Sequence, residues 1–207
     1  MRHYFVTGTD THVGKTVVSA MLLQLLQGCY WKPIQAGLPG DLTDVQTLTG
    51  LPDKHFFSST YNLNAPLSPH QAALLEDIQI DLQSCRVPVC ENALIVEGAG
   101  GVFVPINDMA CMLDLMKQLN FPVIIVARGT LGTINHTLLT IEALRHRQIP
   151  IHGVVFNGDL NPANQKTIEE WGNVRTLFHV PQFATMNKSV LHAWIRVEHP
   201  IILERLA

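Results

Sequence analysis

The chain has 207 residues, 47% hydrophobic and 15% charged, and its 14 Lys and Arg against 17 Asp and Glu give a net charge of −3. That composition supports a sizeable core, excludes intrinsic disorder, and argues against a nucleic-acid binder that works by bulk charge. No run of about 18 apolar residues escapes charges and turn residues, so a transmembrane span is excluded as well.

His3–Thr7 reads as a first strand that enters a Gly/Thr loop after only six residues, which predicts no signal peptide. Val17–Gln27 reads as the following helix, and Cys29–Trp31 as a short second strand ending at Lys32. The interval from Gly37 to Pro88 is irregular and predicts short helices mixed with loops. Ala93–Glu97 and Pro122–Ala127 are continuous apolar runs of the buried-strand type, and Ile151–Asn157 and Val174–Val180 look like two more. Between them, Gly132–Arg147 carries Ile134, Leu138, Leu139, Ile141 and Leu144 near helical spacing. Strands alternating with helices predict an α/β fold: a doubly wound, mostly parallel sheet in three layers, of the P-loop NTP hydrolase kind, as one domain over residues 1–207. Cys29, Cys85, Cys90 and Cys111 form no CxxC pair, which predicts reduced thiols in a cytoplasmic protein. Cys85 and Cys90 could begin a zinc site, but no second Cys or His pair stands at ligand spacing.

In a sheet of this kind ligands sit at the carboxyl ends of the strands. Gly8-Thr9-Asp10-Thr11-His12-Val13-Gly14-Lys15-Thr16 follows the first strand and opens the first helix, as a P-loop does. Its backbone N–H groups would cradle phosphate, Lys15 would neutralise charge and the Thr16 hydroxyl could hold Mg²⁺. Five residues separate Gly8 from Gly14, one more than in the common motif. Lys32 stands on the nucleotide side if Cys29–Trp31 is a strand, and is otherwise a surface lysine. Glu97, before Gly98-Ala99-Gly100-Gly101, is a candidate Mg²⁺ ligand or else caps a helix at a buried turn. Asp44, in a Thr43-Asp44 step ahead of Val45–Leu48, reads as a helix N-cap or a metal ligand.

Taken in series, GTDTHVGKT, WKPIQAG, SPHQAA (Ser68–Ala73), VEGAGG and LGTINHTLLTIEAL (Leu131–Leu144) resemble the dethiobiotin synthetase family, from residue 3 to about 157 and more weakly to Pro181. The resemblance implies an ATP- and Mg²⁺-dependent ligase that joins 7,8-diaminononanoate and CO₂ into dethiobiotin, releasing ADP and phosphate. One amine captures CO₂ as a carbamate, the carbamate oxygen attacks the γ-phosphate, and the second amine displaces phosphate to close the ring. Lys32 and Lys15 would be the catalytic cations, and Thr16, Asp44 and Glu97 the Mg²⁺ positions. ATP would meet His12, Val13, Gly14, Lys15, Thr16, Val17, Asp44, Glu97, Gly98, Ala99 and Gly100. Asn157 and Gly158 would read its base, and Pro181, Gln182 and Phe183 would cover it. Thr11 and Ala36 would face the diamine, and Leu131, Gly132, Thr133, Ile134 and Asn135 would bind its distal carboxylate from the neighbouring subunit of a homodimer.

Several positions depart from the family pattern. His12 replaces a frequent Glu, Gly158 a frequent acid, and Ala36 a hydroxyl that Gln35 could supply instead; Leu160 stands where a guanine reader would carry Asp. His70 and His136 lie in family-like segments without an evident role. Competing readings are a related amidating ligase, which would need a glutamine-handling domain; a nucleotide-binding protein without catalysis; and a ParA- or MinD-like switch ATPase. The last carries a lysine where this loop has Asp10, and the chain lacks a basic amphipathic terminal helix.

Overall fold

β-branched runs build the centre of the molecule. Tyr4–Gly8 (β1), Leu94–Gly101 (β6), Val123–Arg128 (β7) and Ile151–Asn157 (β8) are strands whose central residues are buried, as strands covered on both faces require. Cys29–Trp31 (β2), Phe56–Phe57 (β4) and Thr176–Val180 (β9) complete a seven-stranded sheet in the order β4-β2-β6-β1-β7-β8-β9, with every pairing parallel. Ile34–Ala36 (β3) and Tyr61–Leu63 (β5) pair as a separate two-stranded ribbon. The computed structural model describes residues 3–159 and 161–206, so Leu160 lies outside the described residues.

The two-residue period of a strand divides the core between the two faces of the sheet. Tyr4, Val6, Ile95, Ile124 and Val126 point to one face, where Lys15–Leu26 (α1), Asp41–Thr49 (α2) and Lys188–Leu206 (α7) cover them through Met21, Leu22, Val45, Leu191 and Ile202. Phe5, Leu94, Val96, Val123 and Ile125 point to the other. There Met112–Leu119 (α4), Thr133–His146 (α5) and Pro162–Gly172 (α6) supply Leu113, Met116, Ile141, Leu144 and Ile168. Pro69–Leu75 (α3) and single 3₁₀ turns at Asp53–His55 and Leu82–Ser84 lie in the irregular interval. Among the described residues no helix is long and apolar enough to cross a membrane.

The first strand, first helix and β2 lie where periodicity puts them. Three features differ from expectation. The Glu97 strand does not stop at the acid but continues through its glycines to Gly101, because Gly8 of β1 pairs with Gly101 at that height. α2 starts at Asp41, after Gly40, so Asp44 sits in the first helical turn rather than at the cap. Cys29 and Cys90 form a disulfide, not two reduced thiols, with Cα atoms 6.5 Å apart. Spacing along the chain hides this pair: β2 runs beside β6 with Cys29 opposite Leu94, and the segment before β6 brings Cys90 alongside. Cys90 is thereby unavailable to a Cys85–Cys90 zinc site, and among the described residues no three or more His, Cys, Asp or Glu side chains gather as a metal cluster.

Candidate active site

The loop after β1 closes tightly because it lacks side chains at two points. A Cβ on Gly8 would come within 2.6 Å of Val13 Cγ2 and 2.8 Å of the Asp10 carbonyl oxygen. Gly14 has φ +98°, a left-handed backbone, and a Cβ there would strike the Asn157 amide. Lys15 begins α1 almost buried and donates to the Asp10 carbonyl at 3.0 Å. Burial pushes its pKa below that of an ordinary lysine, and Lys32 pushes the same way against the pull of Glu97 and Asp41.

Beside the loop a charged cluster joins α1, β2, α2 and β6. Lys32, directly after β2 and 5% exposed, places Nζ 2.5 Å from Asp41 Oδ2 and 3.3 Å from Glu97 Oε1. Burial alone would lower the Lys32 pKa, but the Glu97 and Asp41 carboxylates outweigh it and hold the ammonium above the usual lysine range. For Asp41 the same balance runs the other way: burial favours its neutral form, and Lys32 overrides it and holds the carboxyl low. Thr16 Oγ1 lies 2.7 Å from Asp41 Oδ1 and 3.1 Å from Glu97 Oε1, and shares its single proton between them. The fully buried Tyr30 hydroxyl donates to Glu97 Oε2 at 3.1 Å, and burial together with Glu97 drives its own pKa well up. Gln35 fixes the start of α2: its Oε1 accepts from the Asp41 N–H at 3.0 Å while its Nε2 donates to the Gly37 carbonyl at 3.0 Å.

These groups border a cleft of about 880 Å³ at the carboxyl edge of the sheet. Of the residues singled out from sequence, Thr11, His12, Gly14, Lys15, Thr16 and Val17 line it from the loop, Lys32, Ala36 and Asp44 from the β2–α2 side, and Glu97, Ala99 and Gly100 from β6. Val13 and Gly98 do not: Val13 is buried in the core, and Gly98 packs on Phe5, whose ring a Cβ would meet at 2.8 Å. Asn157 closes β8 and donates from Nδ2 to the Val13 carbonyl at 2.9 Å, so one amide hydrogen braces the loop and Oδ1 stays available. Gly158, at φ +93°, is bonded from its N–H to the Val180 carbonyl at 2.9 Å. Pro181, Gln182 and Phe183 continue from the end of β9 alongside it.

The Leu131–Asn135 segment stands apart from the cleft. Leu131, Gly132 and Asn135 are exposed, Thr133 is buried with its hydroxyl 3.3 Å from that of Thr137, and Ile134 packs on the core. His136 borders a smaller groove beside the loop, and His70 lies in α3, with its N–H 3.4 Å from the Pro105 carbonyl. Sequence reasoning overlooked Asp41, which bonds both Thr16 and Lys32, and weighed Asp44 in its place; no bond joins Asp44 to either. An acid directly after Gly40 at a helix start was the available signal. Gln35 lines the cleft beside Ala36, with its Nε2 donating to the Ala36 and Gly37 carbonyls and its Oε1 accepting from the Asp41 N–H. Tyr30 reads from sequence only as a strand aromatic, and its role depends on β2 lying beside β6.

A phosphate-cradling loop between strand and helix, with two buried lysines and hard oxygen donors at one sheet edge, defines a P-loop nucleotide-binding α/β protein. A ParA family ATPase from Chlorobium tepidum has this fold, at TM-score 0.58 and 14% identity over 100% of this chain and 99% of that one. A family profile described as an AAA domain matches residues 2–189. The ATP-dependent dethiobiotin synthetase BioD of Paramagnetospirillum magneticum is 53% identical over 87% of this chain and 88% of its own length. The biotin biosynthesis bifunctional protein BioCD of Bordetella avium is 44% identical over 93% of this chain, which spans 42% of that longer protein. The chain therefore belongs to the ATP-dependent dethiobiotin synthetase family, and it is an enzyme of that kind.

Proposed function

We propose that this chain joins 7,8-diaminononanoate and CO₂ at the expense of ATP, giving dethiobiotin, ADP and phosphate, with its site completed in a homodimer. The observation that carries the reading is the placement of two buried lysines, Lys15 and Lys32, at one cleft with the Thr16, Asp41 and Glu97 oxygens. A carbamate is anionic and short-lived in water, and its phosphorylation gathers further negative charge, so cations in a water-poor cleft are the required chemistry. Lys15, at the start of α1, is positioned to leave the Asp10 carbonyl for a phosphate oxygen. Lys32, held charged by its two carboxylates, is positioned to pair with the carbamate.

Thr16, Asp41 and Glu97 present only hard oxygens, which suits Mg²⁺, and Asp44 borders the same cleft. Mg²⁺, when bound, would neutralise phosphate charge there. Two carboxylates and a hydroxyl would leave half of its octahedral shell to nucleotide and water, as Mg²⁺ sites commonly do. Asn157, whose Nδ2 is bonded to the Val13 carbonyl and whose Oδ1 could accept from a purine amino group, with Gly158 and Pro181–Phe183 beside it, supports adenine as the base. The exposure of Leu131, Gly132 and Asn135 at the start of α5 supports a role on the neighbouring subunit, since free N–H groups at a helix start attract a carboxylate. Dependence on ATP supports a cytoplasmic setting, and each subunit of the dimer would be a single P-loop domain.

The test is phosphate release from ATP with Mg²⁺ and bicarbonate, with and without the diamine. Diamine-dependent release with a product heavier by one CO₂ less one water is expected. Release that ignores the diamine, in protein that binds ATP, would move the chain to a switch ATPase. A fully active monomer would remove the shared site.

A further inference from the structure

The residue that ends β7 has no part in the site so far. Arg128 leaves the sheet beside the P-loop and places Nη2 2.9 Å from Asp10 Oδ2 and 3.1 Å from the Thr11 carbonyl oxygen. Asp10 turns its other oxygen back on the loop, accepting from the Thr11 N–H at 2.7 Å. Two residues upstream, the Val126 carbonyl of the same strand accepts from the Thr9 N–H at 3.0 Å. The limb from Thr9 to Thr11 is therefore strapped to the end of β7 by backbone on one side and by a guanidinium on the other.

That limb is a partition. Thr11 borders the 880 Å³ nucleotide cleft, and Thr9, Asp10 and Thr11 also border a groove of about 470 Å³ whose other walls include Phe103, Val104 and Leu139. The limb lies within the stretch where this loop carries one residue more than the common spacing, and His12 just beyond it has a left-handed backbone, φ 57°. A longer loop in an unusual conformation has more ways to move, so an external tie has something to restrain.

Resting on the proposed reaction, we infer that Arg128 is a positioning residue for the diamine: through Asp10 and the Thr11 carbonyl it sets the wall between the nucleotide cleft and the groove. A guanidinium suits the task because the two N–H bonds of Nη2 diverge in one fixed plane toward a carboxylate and a carbonyl, whereas a lysine ammonium is a rotating point charge on a flexible stem. Both partners are about half-exposed, so the tie is adjustable and open to salt, unlike the buried Lys32 cluster.

The experiment compares wild type, Arg128→Ala and Arg128→Lys by steady-state kinetics and by amide hydrogen exchange of residues 9–13. In Arg128→Ala the KM for the diamine rises roughly three- to tenfold, the size expected for loss of an exposed ion pair and one further hydrogen bond. kcat and the KM for ATP change less than about twofold, because the buried lysines and carboxylates are untouched. Arg128→Lys recovers part of the loss, and the gap between wild type and Arg128→Ala narrows as salt approaches about 1 M. Exchange at residues 9–13 quickens in Arg128→Ala with melting temperature unchanged. Equal shifts in both KM values with a lower melting temperature would make Arg128 merely structural, and unchanged exchange would overturn the clamp. Wild type without diamine-dependent turnover would refute the reaction instead, while the exchange comparison still decides the clamp.

Discussion

Replacing Lys32 by Met keeps most of the length and the apolar character of the stem but removes the ammonium that bridges Asp41 and Glu97. Breaking one partner out of a buried ion pair costs about 3–5 kcal/mol, because a buried charge is left behind. The low end applies here: the Asp41 side chain is 27% exposed and can turn to water, and Glu97, at 1%, keeps its bonds from Thr16 and Tyr30. A loss of about 3 kcal/mol in a chain of this size lowers the melting temperature by about 6–12 °C. Two carboxylates without their cation form a stronger site for a hard divalent ion, so Mg²⁺ should raise the melting temperature of Lys32→Met more than that of wild type. Turnover should fall by at least about 100-fold while ATP binding persists, as expected when a group acting on developing charge is lost. Calorimetry with and without Mg²⁺, alongside phosphate release, makes the measurement. Wild-type melting together with an unchanged Mg²⁺ response would show that Lys32 does not bridge the carboxylates in solution, and the electrostatic argument would fail with it.

The same cluster fixes a pH window. Asp41, whose folded pKa is lowered, contributes stability above its unfolded value of about 3.9 and loses it as pH falls through the folded value; Lys32, raised, contributes fully below about 10.4 and loses it as pH rises through its folded value. Urea midpoints should therefore form a plateau between those limits that Lys32→Met flattens at both ends, and parallel profiles would count against the pairing. Tyr30→Phe removes a single oxygen and leaves Glu97 Oε2 without its donor, for a loss of about 1.5–3 kcal/mol by urea titration; a change under about 0.5 kcal/mol would mean that another group or water replaces the phenol. Gln35→Ala releases the Asp41 N–H and the Gly37 carbonyl together, so Asp41 should be held less firmly and the Mg²⁺ concentration for half-maximal turnover should rise severalfold, whereas an unchanged Mg²⁺ response would separate Gln35 from the site. Gly14→Ala forces a side chain into the left-handed backbone and against the Asn157 amide, so ATP affinity should drop by more than about tenfold in calorimetric titration; retained affinity would show that the loop has room to move.

The local signals legible in sequence are those that need only near neighbours. The P-loop declares itself because glycine spacing, Lys15 and Thr16 act within one strand–turn–helix unit, and the apolar runs at Ile151–Asn157 and Pro122–Ala127 are long enough to be buried strands in any α/β arrangement. Lys32 is legible as well, since it follows a strand whose carboxyl end must face the ligand edge. What tertiary structure alone decides is which distant side chains meet. Tyr30 finds Glu97 across 67 residues because β2 pairs with β6, Cys29 finds Cys90 across 61 by the same pairing, and Arg128 finds Asp10 across 118 because β7 lies beside β1. Asp41, rather than Asp44, bonds Thr16 and Lys32 because Gln35 and Gly40 start α2 at Asp41, one turn earlier than the Thr-Asp step suggests; Asp44, on the same helix face, borders the cleft without bonding either. Residue type and local spacing thus determine which chemistry the chain can carry, whereas strand order and helix phase determine which atoms carry it, since those depend on contacts that the chain closes only when folded.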